Sequence, residues 1–169
     1  MTRLSFRLKR RNLYNSMKKT VFLTGATGNM GWAGFQELYK KGKFNIRLLA
    51  RDSRKNHKML DRYASDPSVT VIWGDLTRYE DVLEGVKGSD YVLHVGGMVS
   101  PAADYYPEKT LKVNVTAAEN VVKAVLAQPD KDDMRVVYIG SVAQYGDRNY
   151  PRHWGDVNEP QTPAKYDMY

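Results

Sequence analysis

The stretch from Lys18 to Gly34, KKTVFLTGATGNMGWAG, constrains the fold of this chain more than any other. A short apolar run, Val21-Phe22-Leu23, leads into Thr24-Gly25, and glycines recur at Gly25, Gly28 and Gly31 before a helix-like segment over 32–40. Strand, glycine turn and helix in that order are how a nucleotide-binding βαβ unit begins. One glycine lets the chain turn sharply off the strand, one lets backbone N–H groups approach a pyrophosphate, and one lets the helix pack close to the sheet. The helix N-terminus then offers unpaired N–H groups and a partial positive charge to phosphates. Three glycines alone also describe a tight turn with no ligand. The rest of the chain separates the two readings.

Further along, the spacing predicts a helix over 30–41 closed by Gly42, and a strand over 44–50. Asp52 and Ser53 can cap a polar second helix that runs to about Ala64 and ends at Asp66-Pro67. A third strand follows over 69–73. Thr77-Arg78-Tyr79-Glu80 has capping-box spacing for a short helix to Val86, with Gly88 as its stop. A fourth strand spans 91–95, and Pro107 starts a long helix to about Ala127, with Val113, Ala117, Val121 and Val125 at helical spacing. A fifth strand spans 134–139, and Gly140 to Tyr169 reads mainly as loop. Five short, continuously apolar strands alternating with helices suit a parallel sheet covered on both faces. The expected fold is α/β, a doubly wound (Rossmann) parallel sheet of order 3-2-1-4-5 that stops after strand five, with ligand across the ends of strands one and four.

The formal net charge of +7 invites a nucleic-acid reading until it is located. Residues 1–16 hold Arg3, Arg7, Lys9, Arg10 and Arg11 and no acid, which leaves 21 basic against 19 acidic residues elsewhere. The body is nearly neutral, so we expect neither a nucleic-acid nor a membrane partner. Residues 1–16 are expected to be a disordered basic extension. They read as a translated upstream extension before Met17, as an Arg-rich targeting peptide, or as a basic arm; the first is preferred. Residues 17–169 then form the cofactor-binding domain, incomplete at its C-terminus. The chain contains no cysteine, which excludes disulfides and thiolate chemistry and fits a reducing, cytoplasmic setting. Its three histidines, without HExxH spacing, suggest no metal site.

The turn Thr24-Gly25-Ala26-Thr27-Gly28-Asn29-Met30-Gly31 resembles the TGxxGxxG turn of the extended short-chain dehydrogenase/reductase family, which includes NAD(P)-dependent epimerases and dehydratases. Further elements match in order. Trp73-Gly74-Asp75-Leu76 resembles the family's G-D-[LI] element, whose Asp contacts the adenine amino group. His94-Val95-Gly96-Gly97 falls at its H-x-A-A turn, Asn114 on its long-helix Asn, and Ser141 on the Ser/Thr four residues before a Tyr-Gly pair. The resemblance implies cofactor contacts from Thr24, Gly25, Thr27, Gly28, Asn29, Met30, Gly31, Asp75, Leu76, Val95, Gly96, Gly97 and Asn114. At the end of strand two an Asp or Glu would suit a ribose 2′-hydroxyl and an Arg a 2′-phosphate. The chain reads Ala50-Arg51-Asp52, so Arg51 favours NADP over NAD, and Asp52 is either a ribose ligand or, as we prefer, the cap of helix two.

By the same resemblance a Tyr is the general acid/base, a Lys four residues later lowers its pKa, and Ser141 bonds the substrate oxygen. Tyr166 and Tyr169 are the candidates, and Tyr169 fits better. Its Lys would be residue 173, beyond this sequence, as would be the helix after strand five, often a dimer interface, and the substrate domain. A homodimer and a small-molecule substrate are therefore expected of a full-length form only. This chain should leave a face near strands four and five exposed and be poorly soluble or weakly stable. His57 and His153 read as surface residues, His94 as pocket-lining, and Trp32, Trp73 and Trp154 as packing residues. Tyr105-Tyr106 reads equally as substrate-cleft lining or as exposed packing. The leading expectation is the cofactor-binding part of an NAD(P)-dependent epimerase/dehydratase or reductase acting on a hydroxyl or ketone substrate, a nucleotide sugar among the candidates. The alternative is a non-catalytic NADP-binding sensor. A third reading, a basic-tailed adaptor, rests on residues 1–16 alone.

Overall fold

Successive residues of the first apolar run face opposite layers, and this organises the molecule. In the computed structural model, which describes residues 18–146 and 157–163, β1 (Thr20–Thr24) is the central strand. Phe22 points to one face of the sheet and Leu23 to the other, as successive side chains on a strand must. Both are buried, which is why the run reads as continuous rather than alternating.

Five parallel strands form one sheet in the order β3-β2-β1-β4-β5, as expected. The others are β2 (Asn45–Ala50), β3 (Val69–Trp73), β4 (Tyr91–His94) and β5 (Arg135–Tyr138). Helix α1 (Asn29–Lys41) follows β1 and ends at Gly42, whose N–H bonds the Tyr39 carbonyl. α2 (Arg54–Leu60) continues into a 3-10 turn over Asp61–Tyr63. α3 (Tyr79–Val86), a short α4 (Ala102–Tyr105) and the long α5 (Pro107–Leu126) complete the helices of the described residues. On one face Leu23, Phe35, Ile46, Leu48, Leu60 and Tyr63 pack together. On the other, Phe22, Leu49, Val82, Val86, Val92 and Val121 do so. Ala117, Val121 and Ala124 bury the inner face of α5, and Val113 and Val125 are half-buried beside them.

Several local expectations need correction. Thr77 does not open a capping box: its N–H and hydroxyl both bond Asp75 Oδ1, at 2.8 and 2.6 Å, and Arg78 stands at the N-cap of α3. Asp52 does not cap α2: Ser53 does, its Oγ accepting the Asn56 N–H at 3.3 Å, while Asp52 turns to His57. α4 was not anticipated, because its four residues, AADY, carry no periodic apolar signal. A 3-10 turn over Val142–Tyr145 also interrupts the stretch read as loop. The exposed face near β4 and β5 is present: Val136, Val137, Tyr138 and Ile139 on and after β5 are 41–60% exposed. Residues 1–16, His153, Trp154, Tyr166 and Tyr169 lie outside the described residues.

Candidate functional site

The strand order reverses between β1 and β4, and the two parallel strand ends meet in register, Thr24 against His94. In a doubly wound sheet the crevice beyond such a reversal is where ligands bind. Thr24 is fully buried, and its hydroxyl joins the two ends. Oγ1 accepts the N–H groups of Val95 at 3.1 Å and Gly96 at 3.0 Å, and lies 2.8 Å from His94 Nδ1. With two donors already on its oxygen, the hydroxyl gives its one proton to Nδ1. His94 is therefore the neutral tautomer with its hydrogen on Nε2. Burial agrees, pushing the His94 pKa below its ordinary value. Tyr138 of β5 packs over the ring, centroids 5.5 Å apart.

This clasp brings two backbones together. Gly25 has φ +71°, and a Cβ there would sit 2.7 Å from Gly96 Cα and N. Gly31 is tighter: a Cβ would lie 2.0 Å from the Gly25 carbonyl oxygen. These contacts seat the first turn of α1 directly on the loop. Gly28 N–H bonds the Gly25 carbonyl at 2.9 Å, closing the turn, and Gly28 is the N-cap of α1. Gly28, Asn29 and Met30 are exposed, and no acid stands in the first turn. The first-turn N–H groups have no intrahelical acceptor and carry the positive end of the helix dipole, so the cradle suits a pyrophosphate.

Arg51 and Asp75 flank the same crevice, at the ends of β2 and β3. Burial pushes the Asp75 carboxyl up, but the two Thr77 bonds and the nearby Arg51 and Arg78 outweigh it and hold the pKa below the ordinary value. Asp75 is thus an ionised acceptor. Its backbone N–H bonds Asp81 Oδ2 at 2.8 Å. Leu76 lies against Gly96, where an added Cβ would meet Leu76 Cδ1 at 2.5 Å. Asn114 places both polar ends on Met98, accepting its N–H at 2.7 Å and donating to its carbonyl at 2.9 Å. These two bonds brace the loop after Gly97. Ser141 follows β5 and caps the 3-10 turn, its Oγ accepting the Ala143 N–H at 3.2 Å.

The structure thus gathers the glycine turn, Arg51, Asp75, Leu76 and the Val95–Gly97 turn around the ends of the central strands, while Tyr169 lies outside the described residues. Sequence reasoning missed the Thr24–His94 link. It also missed Asn120, buried on α5, whose amide donates to the Leu76 carbonyl at 2.9 Å. An Asn at the helical repeat of Val113, Ala117 and Val121 was the available signal. Among the described residues no group of His, Asp and Glu could hold a metal ion, and no helix is long and apolar enough to cross a membrane.

Comparison with known proteins agrees with this geometry. Residues 21–166 match the model of the NAD dependent epimerase/dehydratase family. The UDP-glucose 4-epimerase of Rickettsia conorii is 34% identical over 114 residues, 64% of this chain and 33% of that protein; that of Rickettsia akari is similar to the same extent. The chain therefore spans about a third of the length of the curated relatives it matches. Among solved structures, the Bordetella bronchiseptica enzyme WbmH in complex with NAD+ superposes with TM-score 0.68 at 21% identity, over 88% of this chain and 47% of that one. A uronate dehydrogenase from Agrobacterium tumefaciens complexed with NAD gives 0.64 at 22%, over 86% and 49%. At these identities the two structures speak to fold alone.

Proposed function

The chain belongs to the NAD dependent epimerase/dehydratase family, and from that premise we infer that it is the cofactor-binding portion of an enzyme that oxidises and re-reduces a hydroxyl-bearing carbon, with NADP preferred over NAD. The observation that carries this reading is the cradle itself. Gly25, Gly31 and Gly96 leave no room for side chains, and the N-terminus of α1 lies at the same end of the parallel sheet as Arg51 and Asp75. The residues fit a dinucleotide: first-turn amides for the pyrophosphate, Asp75 for the adenine amino group, and Arg51 for a 2′-phosphate. The bound cofactor supplies reversible hydride transfer at nicotinamide C4. The chain's own part is to hold the two phosphates, orient the adenosine, and place Ser141 on the substrate oxygen. In this proposal Tyr169 moves the hydroxyl proton. The substrate class suggested by the Rickettsia relatives is a nucleotide sugar.

A second reading, a nucleotide-binding module without turnover, is favoured by one observation: Ser141 Oγ is used as a helical cap. Hydride exchange in a longer form of the protein separates the two. The cofactor claim is tested by titrating NADP and NAD into the chain and into Arg51→Ala. A bidentate charged contact is worth about 1.5–3 kcal/mol, so the substitution should weaken NADP roughly tenfold or more and leave NAD within about threefold. Equal losses for both would remove Arg51 from 2′-phosphate recognition.

A further inference from the structure

His57, read from sequence as a surface residue, is half-buried and held on three sides. Its ring stacks on Trp73 of β3, centroids 3.9 Å apart and planes 24° from parallel. Nδ1 lies 3.0 Å from Asp61 Oδ1, and Nε2 lies 3.0 Å from Asp52 Oδ1. Both carboxylates are acceptors when ionised, so both ring nitrogens must be donors. Only the imidazolium has two N–H groups. The neutral ring has one N–H and one lone pair, and a lone pair facing a carboxylate is repulsive.

The other end of this contact is the cofactor crevice. Asp52 follows Arg51, about 20 residues beyond the glycine turn, where dinucleotide folds place an acid for a ribose 2′-hydroxyl. We propose that His57 is a positioning residue for cofactor choice: when protonated it draws Asp52 away from the ribose and leaves Arg51 to a 2′-phosphate, and when neutral it releases Asp52 toward the ribose, which disfavours NADP. This rests on the dinucleotide reading above.

Asp52 is the carboxylate that leaves. Its side chain is 78% exposed against 63% for Asp61, and it lies in the loop before α2, whereas Asp61 lies one helical turn from His57. The other charged residues of α2 are Arg54, Lys55 and Lys58, with Arg51 before it and Arg62 after it; β3 has no titratable residue and contributes the neutral indole. The bonds to Asp61 and Asp52 raise the His57 pKa above its ordinary value, so the change falls above pH 6.5.

The experiment measures dissociation constants of NADP and NAD for the chain, His57→Gln, Asp52→Asn and the double variant between pH 6 and 9. The ratio of the NAD dissociation constant to the NADP dissociation constant for the chain is divided by the same ratio for His57→Gln, which cancels the titration of the 2′-phosphate itself, near pH 6. The quotient should be about two- to fivefold at pH 6, the range of exposed charge interactions, and approach one at pH 9. In the Asp52→Asn background His57→Gln should change nothing. A quotient of one at pH 6, or an unchanged effect of His57→Gln when Asp52 is Asn, overturns the inference while the dinucleotide reading stands. A purely structural His57 would shift both affinities together, which also overturns it. Failure of the chain to bind either dinucleotide overturns both.

Discussion

Thr24→Val keeps the shape of the side chain and removes one oxygen. That oxygen makes three contacts: to His94 Nδ1 at 2.8 Å and from the N–H groups of Val95 and Gly96 at 3.1 and 3.0 Å. His94 is buried, so its unpaired nitrogen should cost about 1–3 kcal/mol. Val95 and Gly96 are half-buried and within reach of water, so each lost bond costs nearer about 1 kcal/mol. The total is about 3–5 kcal/mol, a large share of the roughly 5–15 kcal/mol of a typical domain. With a urea slope of about 2 kcal/mol/M, the midpoint should fall by about 1.5–2.5 M. A cycle with His94→Leu should be non-additive by about 1 kcal/mol or more, because both changes break the same bond. A Thr24→Val loss below about 1 kcal/mol with unchanged slope, or simple additivity, would refute the clasp.

Other outcomes follow from the same contacts. Gly31→Ala places a methyl 2.0 Å from the Gly25 carbonyl oxygen, and should weaken dinucleotide binding at least about tenfold in a calorimetric titration while costing about 1–3 kcal/mol of stability. Gly85→Ala drives a methyl to 2.1 Å from Phe22 Cε2, deep in the core, and should cost a similar amount by urea denaturation with dinucleotide affinity in the surviving folded fraction nearly unchanged. The folded pKa of His94 lies below its unfolded value, so the unfolded chain binds more protons as pH falls below about 6.5. Stability should be level in this respect above pH 6.5, fall below it, and level again beneath the folded value. His57 has the opposite sign, its contribution full below pH 6.5 and lost as pH rises through its raised pKa, so urea midpoints of His57→Gln with and without His94→Leu isolate the His94 effect.

The sheet was legible because its signals are local. VTVIW occupies β3 from end to end, and the glycine turn announces both the strand before it and the helix after it. The reversal between β1 and β4 followed from the handedness of crossovers, a rule of topology rather than of sequence. The Thr24–His94 bond joins residues 70 positions apart, and nothing in either neighbourhood marks it. The capping expectations for Asp52 and Thr77 failed for a related reason, while those for Ser53 and Gly42 held. Asp52 and Thr77 are good caps in isolation, but His57 and Asp75 offered each a better-placed partner. Trp73 was read as packing, which holds, but the sequence does not reveal that its partner is a histidine between two carboxylates. Arg51 and Asp75 were found as separate motif positions; that they act on one another through space required the fold.

The most direct test of the account is a backbone amide spectrum of the chain recorded as NADP is added. The account predicts the largest shifts at Gly25 to Gly31, Arg51, Asp75-Leu76 and Val95 to Gly97, with the same set moved in weaker form by NAD. Shifts confined to other surfaces, or none at millimolar dinucleotide, would contradict it.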